Sequence, residues 1–312
     1  MSDREAPVWA IVGPTASGKS ALAVDLAEAF GGVVINADAL QLYRELPILT
    51  AQPDQATQAR VPHRLYGIRS ASEPASAGLW CALAKAEIER ARAAGLRPLL
   101  AGGSGLYLRA LSQGLAPIPP LSEAQRAETL VLLQREGPEA LHRRLTAADP
   151  ETAAKLSPAD TQRLQRAWSV LQASGRGLVA WQRRTEPGVP LRWLILLPER
   201  EVLRNAVAQR FDAMLAAGAL DEVRALFARK LDPSLPALKA VGYRELAAHL
   251  AGEISLQAAC EAAVTATRRY LKRQTTWLRH QVMADETQIG VWHAQYSCQL
   301  SREIVTFLRE ER

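Results

Sequence analysis

The 312-residue sequence predicts an α/β fold with a parallel central sheet. Two observations lead to this prediction. In the first third of the chain, short apolar runs alternate with stretches of helical periodicity, which is typical of parallel strands joined by helical crossovers. The first apolar run is followed directly by GPTASGKS, residues 13–20, which has the form of a phosphate-binding loop between a strand and a helix. The core is therefore predicted to be P-loop NTPase-like.

The elements of this core follow from the apolar runs and the glycines that end the helices. Three short apolar runs are predicted strands: residues 8–12, 33–36 and 97–101. Two helices, each ended by glycine, are predicted between them: residues 19–30 and 79–94.

The pattern changes after Gly114. Residues 116–120, APIPP, form a stiff linker that breaks strands, and Ser122 with Gln125 then makes a capping box for a helix ending near residue 137. A second helix is predicted from about residue 160 to 175. We therefore predict a helical insertion over 117–187, within a core formed by 1–116 and 188–312.

The second part of the core is predicted to be mainly helical. Residues 192–197 return to an apolar strand pattern, and the last strand is Ile289–Trp292. The predicted helices are 201–217, 219–230, 243–251 and 255–284.

Composition and charge exclude several classes of protein. No apolar run reaches the roughly 20 residues that a membrane span needs, and the charged N-terminus has no apolar signal core, so a cytoplasmic protein is expected. The three cysteines are far apart and form no C-x-x-C pair, which argues against a disulfide framework and a zinc module. The formal net charge of +6 permits an anionic partner.

The phosphate-binding loop supplies several groups for an anion. Its glycines let consecutive backbone N–H groups point inward, and the following helix adds the partial positive charge of its N-terminus. Lys19 can bridge outer phosphate oxygens, and the Ser20 hydroxyl can ligate Mg²⁺. The expected phosphate-binding residues are Gly13, Pro14, Thr15, Ala16, Ser17, Gly18, Lys19 and Ser20.

The acidic strand end that motor and switch ATPases use to hold their metal is missing, because residues 97–101 run into GGSGLY. The second strand instead runs into Asp38. Ligands of such a sheet lie beyond the carboxyl ends of the strands, so Asp38 is expected to reach the same crevice as the phosphate loop. Asp38 could equally cap a helix that starts at DALQLY, and spacing alone leaves both interpretations open.

Seven stretches, in family order along the chain, resemble the tRNA dimethylallyltransferases, also described as delta-2-isopentenylpyrophosphate tRNA-adenosine transferases. These stretches are residues 13–20, 36–44, 62–63, 102–108, 160–163, 240–244 and 267–277. The phosphate loop alone is generic, whereas the seven together are highly specific. The resemblance implies that the loop holds the diphosphate of dimethylallyl diphosphate. It also implies that the exocyclic amine of the adenosine 3′ of the anticodon in tRNA attacks the allylic carbon and that diphosphate leaves.

The resemblance implies catalytic roles for Asp38, Ser104 and Lys239. Asp38 matches the proposed general base, and Lys239 stands where the family often has an arginine that neutralises the leaving group. The implied cofactor is Mg²⁺, with Ser20 as its protein ligand. The chain departs from the family pattern at Ala39, which replaces a serine, and at Gln52, which replaces a lysine or arginine.

Two segments are expected to hold RNA. Residues 262–284 contain no Asp or Glu, and at 100° per residue Arg268, Lys272 and Arg279 fall within about 40° of one another, with Arg269 and Arg273 adjacent. The opposite side is expected to pack against the protein, and it carries Tyr270, Leu271, Trp277 and Leu278. In the insertion, glutamine and arginine suit exposed base edges of an anticodon loop. The resemblance adds further tRNA contacts, which gives this expected set: Asp38, Ala39, Leu40, Gln41, Ser104, Arg126, Gln162, Arg163, Leu164, Gln165, Arg166, Arg268, Lys272, Arg273 and Arg279. The target adenosine is expected to be flipped toward Asp38.

Three other functions remain possible at the level of sequence. A small-molecule kinase would share the loop and the Asp, but it does not account for the basic C-terminal helix. Transfer of the prenyl group to free AMP is a closer variant, and a non-catalytic RNA-binding module is a different class. The expected partners are tRNA and dimethylallyl diphosphate, for a protein that acts as a monomer and without a membrane.

Overall fold

The computed structural model describes residues 6–282 and 289–310. The chain divides into two compact units, one formed by Met1–Ser112 and Val189–Arg312 and the other by Gln113–Gly188. We refer to them as the α/β unit and the helical unit. The sequence-based boundaries were 116/117 and 187/188.

The α/β unit contains a parallel sheet with the strand order β3-β2-β4-β1-β5-β6. Its strands are β1 Val8–Val12, β2 Gly32–Asn36, β3 His63–Arg64, β4 Arg97–Gly102, β5 Leu191–Leu196 and β6 Ile289–Trp292. β1 and β2 are buried along their full length. This burial is expected for apolar strands that are covered by helices on both faces.

The helices of the α/β unit cover both faces of the sheet. Their ranges are α1 Lys19–Phe30, α2 Gln55–Arg60, α3 Ala77–Ala93, α4 Gly105–Gln113, α9 Arg200–Ala216, α10 Ala219–Phe227, α11 Tyr243–Leu250, α12 Leu256–Trp277 and α13 Cys298–Glu310. α1 and α13 pack on one face around Ile11 and Leu22, and α3 and α4 pack on the other around Trp80. A third apolar cluster joins the loop after β2 to helices α9–α12.

The helical unit consists of α5 Glu123–Ala148, α6 Pro150–Ala153, α7 Thr161–Ser174 and α8 Leu178–Gln182. The predicted capping box is present, since Ser122 and Gln125 exchange both hydrogen bonds. The predicted end at Gly137 is a break within α5, where the backbone leaves helical geometry and a second helical segment starts at Pro138. Sequence analysis did not predict that second segment. α7 begins after Asp160 and ends at Gly175, as predicted.

The strand register brings three loops to one edge of the sheet. Val12 pairs with Gly102, and Asn36 pairs with Ala101. The loops that follow β1, β2 and β4 therefore start at the same level, beyond the carboxyl ends of the strands. β4 lies between β1 and β2, so the strand order changes direction here, which is where open α/β sheets bind their ligands.

Candidate active site

The phosphate loop joins β1 to α1. Its backbone is left-handed at Ala16 (φ 64°) and at Gly18 (φ 86°). Gly13 has no room for a side chain, because a Cβ would lie 2.6 Å from the carbonyl oxygen of Leu196. α1 begins at Lys19, and its first N–H groups have no helical partner. The loop and the helix N-terminus together have the strand–loop–helix arrangement that suits an anion, and phosphate binding by residues 13–20 remains a prediction.

Asp38 is held by hydrogen bonds on both sides. The Asn36 side chain accepts a hydrogen bond from the Asp38 N–H at 2.7 Å and donates one to the Asp38 carbonyl at 2.9 Å. The Asp38 carboxylate accepts a hydrogen bond from the N–H of Leu40 at 3.0 Å, next to a short 3₁₀ turn. This bond reaches the N–H two residues further on and forms an Asx turn. The N-cap of the 3₁₀ turn is Ala39, without a side-chain cap, so the helix-cap interpretation of Asp38 is not confirmed.

The same carboxylate also reaches the phosphate loop, which was the other interpretation. A single pocket of the α/β unit is lined by residues from the phosphate loop, the loop after β2, α9 and α12. These residues are Thr15, Lys19, Ser20, Asp38, Leu40, Gln41, Leu49, Thr50, Val207, Arg210, Phe211, Met214, Val241, Thr267, Tyr270 and Gln274. Asp38 therefore shares the crevice of the phosphate loop, and its catalytic role remains a prediction.

The polar end of the pocket carries two cations and one carboxylate. Burial lowers the pKa of Lys19 to about 8; the positive charge of Arg210 lowers it further, and the charge of Asp38 opposes both effects. Burial also lowers the pKa of Arg210, while Asp38 raises it. These shifts mean that the three groups interact electrostatically. A dianionic ligand in the pocket would meet both cations.

Arg210 is a site residue that sequence analysis missed. It lies on α9, one residue before Phe211, which also lines the pocket. The available signal was weak, since one arginine within an amphipathic helix usually lies at the surface. Lys239, which the resemblance suggested as the additional cation, ends a 3₁₀ turn at 236–239, is exposed and does not line the pocket. Its role remains a prediction.

Ser104 lies beside the pocket and positions the loop that carries Asp38. Its hydroxyl accepts a hydrogen bond from the N–H of Ala39 at 2.9 Å. The Ser104 side chain also interacts with the phenol of Tyr270, a pocket residue on α12, and this interaction lowers the pKa of the phenol. Burial, followed by the charge of Asp38, raises the pKa of Tyr270, so this phenol stays neutral. Tyr270 therefore faces the pocket, although sequence analysis placed it among the packing residues of its helix.

Gln274 connects α12 to two loops of the site. Its side-chain oxygen accepts a hydrogen bond from the N–H of Thr15 at 2.9 Å, and its amide donates to the carbonyl of Gly103 at 3.1 Å. Gln274 is buried, with 6% of its surface exposed. Sequence analysis did not predict this connection, because it joins residues 259 positions apart.

Part of the pocket wall is apolar. Leu49 and Phe211 are buried side chains that also belong to the cluster around α9–α12. Gly242 packs against both, since a Cβ at this position would be 3.1 Å from the Leu49 methyl and from the Phe211 ring. The pocket thus combines an anion-binding end with an apolar surface, which suits a ligand that has a diphosphate and a short hydrocarbon group.

Comparison with known proteins identifies the family. A family model described as IPP transferase matches residues 41–281, and one described as isopentenyl transferase matches residues 6–71. A curated tRNA dimethylallyltransferase from Rhodospirillum centenum is 55% identical over 282 residues, which cover 89% of this chain and 90% of the relative. Another curated tRNA dimethylallyltransferase, from Acidiphilium cryptum, is 48% identical over 311 residues, which cover 97% of this chain and 94% of the relative. This chain belongs to the tRNA dimethylallyltransferase family.

Solved structures agree with membership of the tRNA dimethylallyltransferase family. The tRNA isopentenylpyrophosphate transferase from Bacillus halodurans is 31% identical, with a TM-score of 0.69 and coverage of 97% of this chain and 96% of that chain. A eukaryotic dimethylallyltransferase acting on tRNA is 26% identical, with a TM-score of 0.85 and coverage of 97% of this chain and 79% of that chain. The predicted fold class and family are therefore confirmed.

In this member of the tRNA dimethylallyltransferase family, α12 and the turn that follows it present a basic surface. Arg269, Lys272, Arg273 and Arg279 are exposed, while Arg268 is half-buried. On other sides of the same segment, Leu271 and Leu278 are buried in the α/β unit. The sequence-based expectation that this segment packs on one side and shows cations on another agrees with these positions. Its contact with RNA remains a prediction.

The helical unit carries the second predicted RNA surface on α7. Gln162, Arg163 and Arg166 are exposed, and Gln165 is half-buried. Arg163 forms an ion pair with Asp160 at 3.2 Å. Leu164 has no exposed surface and packs in the core of the helical unit, so its side chain is not available to RNA. The Arg126 side chain, which the resemblance also assigned to tRNA, lies outside the described residues.

In this member of the tRNA dimethylallyltransferase family, the pocket offers few protein oxygens that could bind a metal ion. Among the described residues, no group of three or more His, Cys, Asp or Glu side chains is arranged to hold a metal ion. The exposed Ser20 hydroxyl and the Asp38 carboxylate line the same pocket. Such a sparse set of hard oxygens fits Mg²⁺, which is usually held by one or two protein groups together with substrate phosphates. No helix in the described part of the chain has the length and apolarity to cross a membrane.

Proposed function

We propose that this protein transfers the dimethylallyl group of dimethylallyl diphosphate to the exocyclic amine of the adenosine 3′ of the anticodon in tRNA, and releases diphosphate. The observation that carries the proposal is one pocket that contains Lys19, Arg210 and Asp38 together with an apolar wall. The family membership supports the same reaction, since curated relatives are named tRNA dimethylallyltransferase.

The diphosphate of the donor binds at the phosphate loop. The loop N–H groups and the N-terminus of α1 surround its oxygens, and Lys19 and Arg210 neutralise its charge. Ser20, with Asp38 near it, would hold Mg²⁺, and the bound ion would further neutralise the negative charge that the leaving diphosphate acquires. The dimethylallyl group lies against the apolar wall that includes Leu49 and Phe211.

In the reaction, the amine nitrogen forms a bond to C1 of the dimethylallyl group while the bond between C1 and the diphosphate oxygen breaks. The electron pair of the broken bond stays with diphosphate. An aromatic amine is a weak nucleophile, and the Asp38 carboxylate accepts its hydrogen bond and then its proton. Lys19 and Arg210 stabilise the leaving diphosphate in the same pocket, so bond formation and bond cleavage are both assisted.

The RNA substrate binds through phosphates and unstacked bases. The exposed cations Arg269, Lys272, Arg273 and Arg279 contact the phosphate backbone. Gln162 and Arg166 of the helical unit contact the anticodon arm. Because a stacked adenosine cannot reach the allylic carbon, the target base is flipped toward Asp38. The protein acts as a monomer in the cytoplasm.

The test is an assay with purified protein, unmodified tRNA and either labelled dimethylallyl diphosphate or γ-labelled ATP. We expect the prenyl label, and no label from ATP, to enter the tRNA at the nucleotide next to the anticodon. AMP in place of tRNA should accept no label. Label transferred from ATP alone would identify a kinase, and tRNA binding without any transfer would identify an RNA-binding module; either result contradicts the proposal.

A further inference from the structure

The segment between β6 and α13 lies against the outer side of the phosphate loop. The backbone N–H of Tyr296 donates a hydrogen bond to the carbonyl of Ser17 at 3.0 Å. The side-chain amide of Gln295 donates to the carbonyl of Ala16 at 2.9 Å. Two consecutive carbonyls of the loop are thus bound by two consecutive residues from the other end of the chain. We call residues 293–297 the loop support.

Gly18 and Tyr296 are in direct contact. A Cβ on Gly18 would lie 2.2 Å from the Cβ of Tyr296, so Tyr296 fills the space that a side chain at position 18 would need. Gly18 is also left-handed, with φ 86°, which other residues adopt at a cost. The glycine is therefore required by its neighbour as well as by its own backbone conformation.

The Tyr296 side chain is fixed to the helix that the loop opens. Its hydroxyl donates a hydrogen bond to the carboxylate of Asp25 on α1 at 2.8 Å, and Asp25 also pairs with Arg60 at 3.1 Å. Burial and then the Asp25 carboxylate raise the pKa of Tyr296, so the hydroxyl keeps its proton at neutral pH. Tyr296 thus contacts both the loop and α1.

The geometry of an anion-binding loop explains what these contacts do. When successive N–H groups of a loop point inward at an anion, the carbonyls of the same peptide units point outward. A rotation of the peptide unit that follows Ser17 would turn the Gly18 N–H away from the anion and would break the hydrogen bond to Tyr296. A rotation of the unit that follows Ala16 would break the hydrogen bond to Gln295 and the turn hydrogen bond from the Ser17 N–H to the Pro14 carbonyl, which shapes the loop. Ala16 is itself left-handed, with φ 64°, which a non-glycine residue keeps only when its surroundings favour it.

We infer that the loop support preorganises the phosphate loop for the donor's diphosphate and that Tyr296 and Gln295 are positioning residues for donor binding. This inference rests on the proposed function, because it assigns the diphosphate of the prenyl donor to this loop. Neither residue touches the donor. Their effect is to hold the binding conformation before the donor arrives, which reduces the cost of ordering the loop upon binding.

The experiment compares Tyr296→Ala, Tyr296→Phe and Gln295→Ala with the wild-type enzyme. One lost or weakened hydrogen bond corresponds to about fivefold in binding, so Gln295→Ala should raise the KM for dimethylallyl diphosphate by about fivefold and Tyr296→Ala by more. Tyr296→Ala keeps the backbone N–H and the Cβ that lies against Gly18, but it loses the ring and the hydrogen bond to Asp25. Tyr296→Phe loses only the hydrogen bond to Asp25 and should retain most of the affinity. The kcat at saturating donor and the KM for tRNA should change by less than about twofold.

Phe307→Ala is the matched control, because Phe307 is an aromatic residue of α13 that packs against Trp292 rather than the loop. It should leave the donor KM unchanged even if it lowers the melting temperature. If Phe307→Ala raises the donor KM as much as Tyr296→Ala does, the effect is a general loosening of the C-terminal region and the inference is wrong. If Tyr296→Ala does not fold, Gln295→Ala decides, since Gln295 is exposed.

Calorimetric binding of inorganic diphosphate separates this inference from the proposed function. The Tyr296→Ala and Gln295→Ala variants should bind diphosphate more weakly by the same factors as in the donor KM. Unchanged diphosphate affinity in both variants, with the wild-type enzyme still active, would overturn the inference alone. A different outcome is that both variants bind diphosphate more weakly than the wild-type protein, while the wild-type protein transfers no prenyl group. This outcome would retain the support role and contradict the proposed function.

Discussion

Lys19 and Asp38 line one pocket, and the charge of Asp38 partly offsets the burial that lowers the pKa of Lys19 to about 8. The two residues come from loops after different strands, and the parallel register of β1, β4 and β2 brings these loops to the same edge of the sheet. The Lys19 ammonium group, which can stabilise a leaving anion, and the Asp38 carboxylate, which can accept a proton from an incoming amine, thus lie in the same pocket.

Asp38→Asn should lower kcat by about 10²–10⁴-fold, because an amide cannot accept the proton of the attacking amine. The substitution keeps an oxygen that can accept the hydrogen bond from the N–H of Leu40, so the turn after Asp38 should persist. Single-turnover transfer with bound tRNA measures the chemical step, and filter binding should give an unchanged tRNA affinity.

Asp54→Asn provides the control for this prediction. Like Asp38, Asp54 is an aspartate whose side chain accepts a hydrogen bond from a nearby backbone N–H, at the start of α2, but it does not line the pocket. Its variant should retain wild-type turnover. Near-normal turnover in Asp38→Asn would remove this carboxylate from the mechanism.

The dependence of donor use on pH should report on Lys19. A lysine must be protonated to attract diphosphate, and the pKa of Lys19 is lowered to about 8, so kcat/KM for the donor should fall as the pH rises through about 8. The profile is measured between about pH 7 and pH 9.5, below the ordinary lysine pKa of about 10.4.

Two variants test whether the fall in kcat/KM comes from Lys19, because each should change the pH of the fall in a stated direction or remove it. Lys19→Arg keeps its charge throughout the range, so its profile should lack the fall whatever its absolute rate. Arg210→Gln removes a positive charge that lowers the pKa of Lys19, so the fall should move to higher pH. A profile identical in all three enzymes would contradict the assignment of this titration to Lys19.

Arg210→Gln should also raise the donor KM by about 10–100-fold, since removal of one partner of a charged contact to phosphate costs about 1.5–3 kcal/mol. Lys239→Gln tests the cation suggested by the family resemblance. Because Lys239 is exposed and does not line the pocket, its variant should have the smaller effect on donor KM. The reverse order of the two effects would mean that Lys239 moves to the donor during the reaction and that Arg210 does not bind it.

Much of the core was predictable from the sequence because its signals are local. The predicted β1 and α1 have the observed bounds, since an apolar run, a phosphate-loop motif and a terminal glycine specify them within the first 32 residues. The placement of Asp38 in the crevice of the phosphate loop was also predictable, because Asp38 is an acidic residue just beyond the end of β2.

The residues that were missed depend on contacts that no local pattern encodes. Arg210 reaches the pocket from α9 through tertiary packing, and Gln274 joins Thr15 across 259 positions of sequence. The contact between Tyr296 and the phosphate loop requires α13 to pack on α1, and sequence analysis did not predict α13 at all.

Each exposed cation of α12 that contacts a tRNA phosphate should contribute to the salt dependence of binding. Arg269→Gln and Lys272→Gln should each weaken tRNA binding, and each should reduce the slope of log K against log salt by about 0.7–0.9. Binding is measured by filter retention between about 50 and 200 mM salt. The effect on donor KM should be small, because neither residue lines the pocket.

Arg302→Gln is the matched control for the RNA surface. Arg302 is exposed on α13 and therefore resembles Arg269 in charge and accessibility. Its loss should leave the salt slope unchanged. Equal changes in slope for Arg302→Gln and Arg269→Gln would indicate a diffuse effect of net charge instead of a defined RNA surface.

Phe211 should limit the length of the prenyl group. It lines the apolar part of the pocket wall on α9, one residue after Arg210, and its ring packs against Gly242. Phe211→Ala removes the ring and should allow transfer from geranyl diphosphate, which is five carbons longer than the dimethylallyl donor. We expect the ratio of kcat/KM for the two donors to shift toward the longer one by at least about tenfold, because each additional buried methylene contributes about 0.8 kcal/mol.

Val202→Ala is the control for this change in specificity, because Val202 is an exposed apolar residue on the same helix and does not line the pocket. The donor ratio of this variant should match that of the wild-type enzyme. A Phe211→Ala enzyme that still uses the dimethylallyl donor and keeps the wild-type ratio would mean that the prenyl group does not extend toward Phe211. The apolar wall would then serve the packing of α9 rather than donor selection.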